Sequence, residues 1–404
     1  KYSMVINMVI YIILLLILNI NAINLVIMGY QLEADGIGKI NINLDKCLRG
    51  NSLGINYCIF SSRERSLNLN YLKQKHDIVI FTDWIWDKYS KERLKNMPDA
   101  ALKIAYSMLE STLIPEVWVN LLNNEFDLII VPDESVKAAY VDSGVKKPIF
   151  VLPLMIDASD YELQDKKILN DEFIFGISSS LVPRKNIEGL VNSFIKSFSS
   201  NPKVKLKINI RAIEDQNSYD KLIKLVNQYK NISIVNKILP KKEYLNFLRS
   251  LNCYVTTSGG EGFSFGPREA MLLGIPCIIS NNSSHKILCQ SGYVHSIDCD
   301  IHEKACYSIF GGCAGFFNYP TLDKISNALE YCYANYKELC KNIKLARDFA
   351  LQYDINQLKK YYYSILNPKR VILCDDNRIG DSGLIYTNSK KLKEKIEYLI
   401  KNVK

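Results

Sequence analysis

The chain alternates short, nearly unbroken apolar runs with amphipathic stretches. In the first half the runs cover 23–28, 56–61, 77–82, 102–107, 127–132 and 149–154. Runs of this kind predict parallel strands covered on both faces, because a strand with one wet face would alternate apolar and polar positions. Helix-patterned pieces, 38–49 and 134–143 among them, lie between the runs. The second half repeats the scheme, with strands expected at 173–178, 205–210, 232–237, 253–258 and 276–280 and helices at 187–199, 218–229, 241–251 and 267–273. The charged and polar stretch 155–167 breaks the pattern and is the expected linker. The pattern therefore predicts two doubly wound α/β units in tandem, with the ligand in the cleft at the carboxyl ends of their strands. Beyond about residue 320 the chain reads as helical.

The two ends differ from this body. Residues 4–28 are apolar apart from four asparagines and carry no charge. Their last part is the first strand, which leaves Met4 to Leu18 as a hydrophobic piece between a signal-peptide core and a short anchor in length. An uncleaved anchor, a cleaved signal and a non-native extension all fit, and membrane association with cytoplasmic catalytic domains is the favoured expectation. After Pro368, one more strand and a basic amphipathic helix are expected. That helix could pack on the first domain, touch a membrane or lie solvated, the last being favoured. The expected division is 1–22 signal or anchor, 23–157 first domain, 158–345 second domain and 346–404 C-terminal helices and tail.

Composition narrows the class. With 404 residues, 48% of them hydrophobic and 23% charged, the chain is globular and can bury a large core. Lys plus Arg number 51 against 42 Asp plus Glu, a net +9. That excess is too dispersed for nucleic-acid binding and suits anionic substrates or an anionic membrane surface. The eleven cysteines include no CxxC pair, and the even spacing of Cys299, Cys306 and Cys313 matches no common zinc template. Reduced thiols in a cytosolic setting are the expected state.

Candidate chemistry concentrates in residues 253–280, CYVTTSGGEGFSFGPREAMLLGIPCIIS. A buried strand runs into Gly259-Gly260, a small-residue loop follows, and Pro267 is expected to open a helix that Gly274 ends. The backbone amides of Gly262, Phe263, Ser264, Phe265 and Gly266 and the helix N-terminus would then form an anion site. Glu269 in a first helical turn would complement the dipole, whereas Glu261 in the loop has no such role. Arg268 so near an N-terminus calls for a nearby anion or carboxylate. Arg184 and Lys185, between strand 173–178 and helix 187–199, stand where cations cost free energy unless an anion such as a diphosphate is bound.

Together these segments resemble the family 4 retaining glycosyltransferases over roughly residues 23–365. The hallmark is the Glu-x7-Glu motif, here Glu261 to Glu269, followed by AMLLGIPCIIS. Residues 106–157 are similar to the stretch that these enzymes read as "E…P..W…D…VPS…SGV..P..V.P.GID", and the turn Gly36-Ile37-Gly38 is similar to their glycine-rich donor loop. The resemblance implies a GT-B fold of two facing Rossmann-like domains with a helical C-terminal segment. It implies Glu261 at the donor sugar, Glu269 at the nucleotide ribose, and Arg184 and Lys185 on the diphosphate. Gly36, Gly38 and the 262–266 amides complete the donor site.

The chain departs from the family at Ser179-Ser180, where many members have Gly-Arg, and at Asn186, where a glycine is usual. His76 is the histidine considered for catalysis, and no alignment supports it. The expected reaction moves a hexose, a mannose type with a guanine nucleotide being the guess from 106–157, from a GDP- or UDP-sugar to a glycan or lipid-linked hydroxyl. The expected design requires no metal, and Asp298-Cys299-Asp300 has DxD spacing of the kind that arises by chance. A silent GT-B binding module is the alternative. An NAD oxidoreductase is disfavoured, because Asn41 stands where the dinucleotide fingerprint asks for a small residue.

Overall fold

The computed structural model describes residues 23–32, 36–49, 55–60, 76–83, 85, 94–163, 172–307, 312–380 and 383–402. The hydrophobic segment 1–22 lies outside them. Among the described residues, no helix is long and apolar enough to cross a membrane.

The first sheet contains β1 (Ile23–Met28), β2 (Ile55–Phe60), β3 (His76–Phe81), β4 (Ala100–Tyr106), β5 (Leu128–Val131) and β6 (Ile149–Val151). All six are parallel, in the order β2-β1-β3-β4-β5-β6. Alternate residues face opposite covered sides. Leu25, Ile27, Ile78, Ile80, Leu102 and Ile104 pack with Ile40 and Leu44 of helix α1 (Gly36–Leu48). Val26, Met28, Val79, Phe81, Ala105 and Ile129 pack on the other side with Trp118 and Tyr140. Burial on both faces is why these strands read as unbroken apolar runs.

α1 also buries Asn41, which donates to Tyr30 O at 2.8 Å and accepts from Thr82 Oγ1 at 2.8 Å. The residue that breaks the dinucleotide fingerprint thus ties the helix to the ends of β1 and β3.

The second sheet contains β7 (Phe173–Leu181), β8 (Val204–Ile213), β9 (Ile232–Asn236), β10 (Cys253–Thr256), β11 (Cys277–Ser280) and β12 (His295–Ile297), the last not expected from the sequence. Its order is β12-β11-β10-β7-β8-β9, also parallel. The order reverses between β7 and β10. Chain leaving the carboxyl ends of those two neighbours diverges to opposite sides and opens a crevice. The loops that leave β7 and β10 carry Arg184, Lys185 and Glu261.

A hairpin follows, β13 (Ile301–Tyr307) and β14 (Gly312–Tyr319), which the sequence pattern did not predict. Its register sets Cys306 opposite Cys313, and the two are disulfide-bonded, which corrects the expectation of reduced thiols for this pair. The hairpin reaches the first unit through the Thr112 N to Phe316 O bond at 3.2 Å and the Tyr307 hydroxyl to Ser111 Oγ at 2.9 Å.

The chain crosses between the two units twice, side by side. Ile156 N donates to Tyr353 O at 2.8 Å, and Ile355 N to Ile156 O at 3.0 Å. Helix α5 (Ile355–Leu366) then returns to the first unit, where the Tyr363 hydroxyl donates to Cys47 O at 2.6 Å. The tail adds β15 (Arg370–Leu373), β16 (Arg378–Ile379) and β17 (Leu384–Thr387) as a small sheet, so the C-terminal segment is not helical alone. The final helix, α6 (Lys390–Asn402), buries Leu392, Ile396 and Leu399 and pairs Lys395 with Asp127 at 2.7 Å. It is docked on the first unit, which corrects the favoured expectation of a solvated helix.

Ile396 is fully buried whereas Tyr398 is 52% exposed. Ile396→Ala should therefore destabilise by about 2–5 kcal/mol in denaturant unfolding, and Tyr398→Ala should shift stability by less than about 0.5 kcal/mol. Equal effects would mean that the helix does not dock.

Candidate active site

β7 ends in a tight turn, Pro183–Lys185, and Asn186 then adopts a left-handed conformation at φ 52° before helix α2 (Ile187–Phe198). Left-handed backbone favours glycine, and asparagine is among the side chains that tolerate it best. The substitution of asparagine for the family's usual glycine is therefore accommodated. The turn delivers Arg184 and Lys185 to the crevice.

From β10 the chain passes through Ser258-Gly259-Gly260 to Glu261. A Cβ on Gly260 would stand 2.2 Å from Glu110 O, so only glycine allows this loop to approach the first unit so closely. Glu261 is buried, and its own N–H donates to Ser283 Oγ at 2.7 Å. Lys185 Nζ donates to Glu261 Oε1, and Arg184 stands 3.4 Å from Oε2. Arg184 also pairs with Glu110 at 2.7 Å and donates to Gly260 O at 3.0 Å. The result is a chain of alternating charge, Glu110, Arg184, Glu261, Lys185, drawn from both units.

Burial raises the cost of each charge, and the neighbours decide which charges survive. For Glu261, burial works against ionisation, but Lys185, Arg184 and His285 outweigh it and hold the carboxyl below its usual range. Arg184 is likewise opposed by burial and held protonated by Glu110 and Glu261. For Lys185 burial wins over Glu261, and its pKa falls to about 8.

Helix α4 (Phe265–Leu272) starts two residues earlier than expected, after Ser264 in left-handed conformation at φ 66°. Pro267 is thus the third helical residue, still within the first turn, where a missing N–H costs nothing. Glu269 lies beyond that turn, so it does not cap the dipole as the sequence suggested. It is instead fully buried and takes three donors: Lys39 Nζ of α1 at 2.5 Å, the Tyr161 hydroxyl at 2.9 Å and the hydroxyl of Tyr244 on helix α3 (Lys241–Arg249). Burial opposes its charge, and Lys39, then the two phenols, reverse that and lower its pKa. Beside it opens a cleft lined by Lys39, Asn209, Arg211, Lys241 and Tyr244 among others.

Arg268 corrects another expectation. It is fully buried, donates to Phe263 O and to Ser264 O at 3.1 Å, and stacks on the Phe263 and Tyr353 rings. Among the described residues it pairs with no carboxylate, and it pins the loop that leads into α4.

Gly36 opens α1 facing the Phe265 ring, whereas Gly38 packs on the backbone of Leu32. His76 begins β3, at the end of the sheet away from the carboxyl-edge crevice. Asp300 pairs with Lys324, and Asp298 accepts from Asn281.

Residues at the site that were not read from the sequence include Lys39, Glu110, Tyr161, Tyr244, Ser283 and His285. His285 is buried, with its pKa lowered to about 4 chiefly by that burial, and is therefore neutral near pH 7. A neutral imidazole both donates and accepts. Nδ1 lies 3.2 Å from Ser280 O, which can only accept, so Nε2 accepts from the Ser264 hydroxyl at 2.9 Å. The signal in the sequence was weak, a histidine five residues after a buried strand.

Lys185 carries its charge at pH 7 and loses it as pH rises through about 8. An anion that it holds should bind with constant strength below that point and more weakly above it. Pyrophosphate titrated calorimetrically from roughly pH 7 to 9.5 should show this decline, and Lys185→Arg should abolish it. The same decline in both proteins would assign it to another group.

Residues 160–295 match the family model described as Glycosyl transferases group 1. The capsular polysaccharide biosynthesis glycosyltransferase CapM of Staphylococcus aureus is 30% identical over 127 residues, 31% of this chain. The match spans 32% of that relative's own length. Among solved structures, HepE of Anabaena, in complex with UDP and glucose, has a TM-score of 0.63 at 13% identity and covers 85% of this chain and 99% of its own. Trehalose-6-phosphate synthase OtsA reaches 0.60 at 11% identity, covering 85% of this chain and 98% of its own. The matched segment contains the whole Glu261 to Glu269 motif and is similar to the glycosyl transferase group 1 family, and both six-stranded sheets are arranged as in these GT-B structures, so the chain has the GT-B fold.

Proposed function

We propose that the chain is a retaining hexosyltransferase that moves a sugar from a nucleoside diphosphate sugar to a hydroxyl of a glycan or lipid-linked acceptor. The observation that carries this reading is the convergence of Arg184 and Lys185 on Glu261, in the loop that leads into α4, at the point where the second sheet reverses its order. In such a transfer the barrier lies largely in charge that builds on the departing diphosphate. Two fixed cations and the free amides of 262–266, oriented before reaction, stabilise that charge without reorganisation. Glu261, held ionised beside them, would stand at the donor sugar, and Glu269 in the adjoining cleft would take the ribose.

In this reading the 158–345 unit binds the donor and the 23–157 unit brings the acceptor to the same face of the sugar. CapM is named for capsular polysaccharide biosynthesis, which supports a growing polysaccharide as acceptor. HepE is solved with UDP, which favours a uridine donor over the guanine nucleotide and mannose suggested by residues 106–157. An acceptor on a lipid would bring the protein to a membrane surface.

Nucleotide release from a panel of UDP- and GDP-sugars tests the reading. Lys185→Ala should lower kcat by about 10²–10³, the usual loss when one donor to a developing oxyanion is removed. Glu269→Ala should act mainly through the donor KM. Full turnover by both Lys185→Ala and Glu261→Ala would place the chemistry elsewhere.

A further inference from the structure

The carboxylate of Glu269 keeps only 2% exposure and already accepts three protein donors, two on Oε1 and one on Oε2. Two of them, the phenols of Tyr161 and Tyr244, belong to side chains packed against the hydrophobic core. The third is Lys39, from the helix after the first glycine turn and therefore from the other unit. Its side chain keeps 20% exposure, where that of Glu269 keeps 2%. A ribose diol can reach Glu269 only if one donor withdraws, and the long, part-exposed lysine stem is the one that can move.

A withdrawn lysine needs a new counter-charge. Its Nζ lies 5.2 Å from the ring centre of Phe265, the first residue of α4. It thus lies by the side chain of the residue that opens α4, the helix at whose N-terminus a diphosphate would sit. In the exchange the ammonium passes to phosphate and the neutral diol replaces its hydrogen bond on Glu269, which keeps the two phenols as donors; the charge pairing lost at Glu269 is what the phosphate contact must offset.

We propose that Lys39 is a donor-selecting residue supplied by the acceptor-side unit. It guards Glu269 against nucleosides and leaves it for ligands that bring their own phosphate. The inference rests on the donor reading above. A nucleoside alone must displace the lysine without offering it a partner, whereas a nucleoside diphosphate offers one. Lys39 is in this sense a positioning and specificity residue, distinct from the cations beside Glu261.

Calorimetric binding of uridine and UDP, with guanosine and GDP in parallel, tests this on the wild-type chain, Lys39→Met and Lys39→Arg. Lys39→Met should bind the nucleoside more tightly and the diphosphate more weakly. The preference for diphosphate should fall by about tenfold or more, the scale of one charge-assisted hydrogen bond. Lys39→Arg, which keeps the charge, should preserve the preference to within about threefold. A purely structural lysine would weaken both ligands by the same factor, and that result overturns the proposal while leaving the donor site standing. If the wild-type chain bound neither UDP nor GDP, the donor reading itself would fail, and this inference with it.

Discussion

Two carboxylates that water hardly reaches, Glu261 and Glu269, organise the cleft, because each stays ionised only through cations brought from elsewhere in the chain. Arg184 and Lys185 come from the turn after β7, and Lys39 comes from a helix of the other sheet. A buried charge without a partner costs several kcal/mol, so the two units are constrained to meet where these pairs form. The network is also balanced: Glu110 and Glu261 offset Arg184 and Lys185. An incoming anion therefore meets cations already engaged and must compete with carboxylates for them. Such competition favours ligands of high charge and fixed geometry over small monovalent ions.

The glycines and the left-handed residues serve the same meeting. Gly260 lets the loop touch Glu110 O, while Asn186 and Ser264 turn the chain sharply at the base of the two helices that face the crevice. Arg268 and His285 hold the loop from behind, through Phe263 O and Ser264. These contacts position the loop before any ligand arrives, as electrostatic catalysis requires.

Much of this was legible in the sequence. The strands were readable because parallel strands buried on both faces leave continuous apolar runs, and Leu25 or Ile129 has no wet side to interrupt the signal. The Arg184-Lys185 pair and the loop that holds Glu261 were each readable as candidate chemistry, since cations at helix starts lack a structural purpose and Glu261 stands outside the helix. What escaped was long-range or conformational. Lys39 and Glu269 are 230 positions apart, and nothing local marks them as a pair. The start of α4 was misplaced because Ser264 takes a backbone conformation that serine rarely adopts, which moved Glu269 out of the first turn. In the β13–β14 hairpin, β13 is exposed on both sides over its first four residues and interrupted by Glu303 and Lys304, while β14 carries two glycines and exposed positions, so neither gave a strand signal.

The double crossing at Ile156 and Asp354 bears on how the cleft can move. Two polypeptide links separated by a single hydrogen-bonded pairing act mechanically as the two knuckles of one hinge. Translation or twisting of one sheet against the other would shear that pairing, whereas rotation about the line through both links distorts few dihedrals. Rotation about that line is the motion that this double connection resists least.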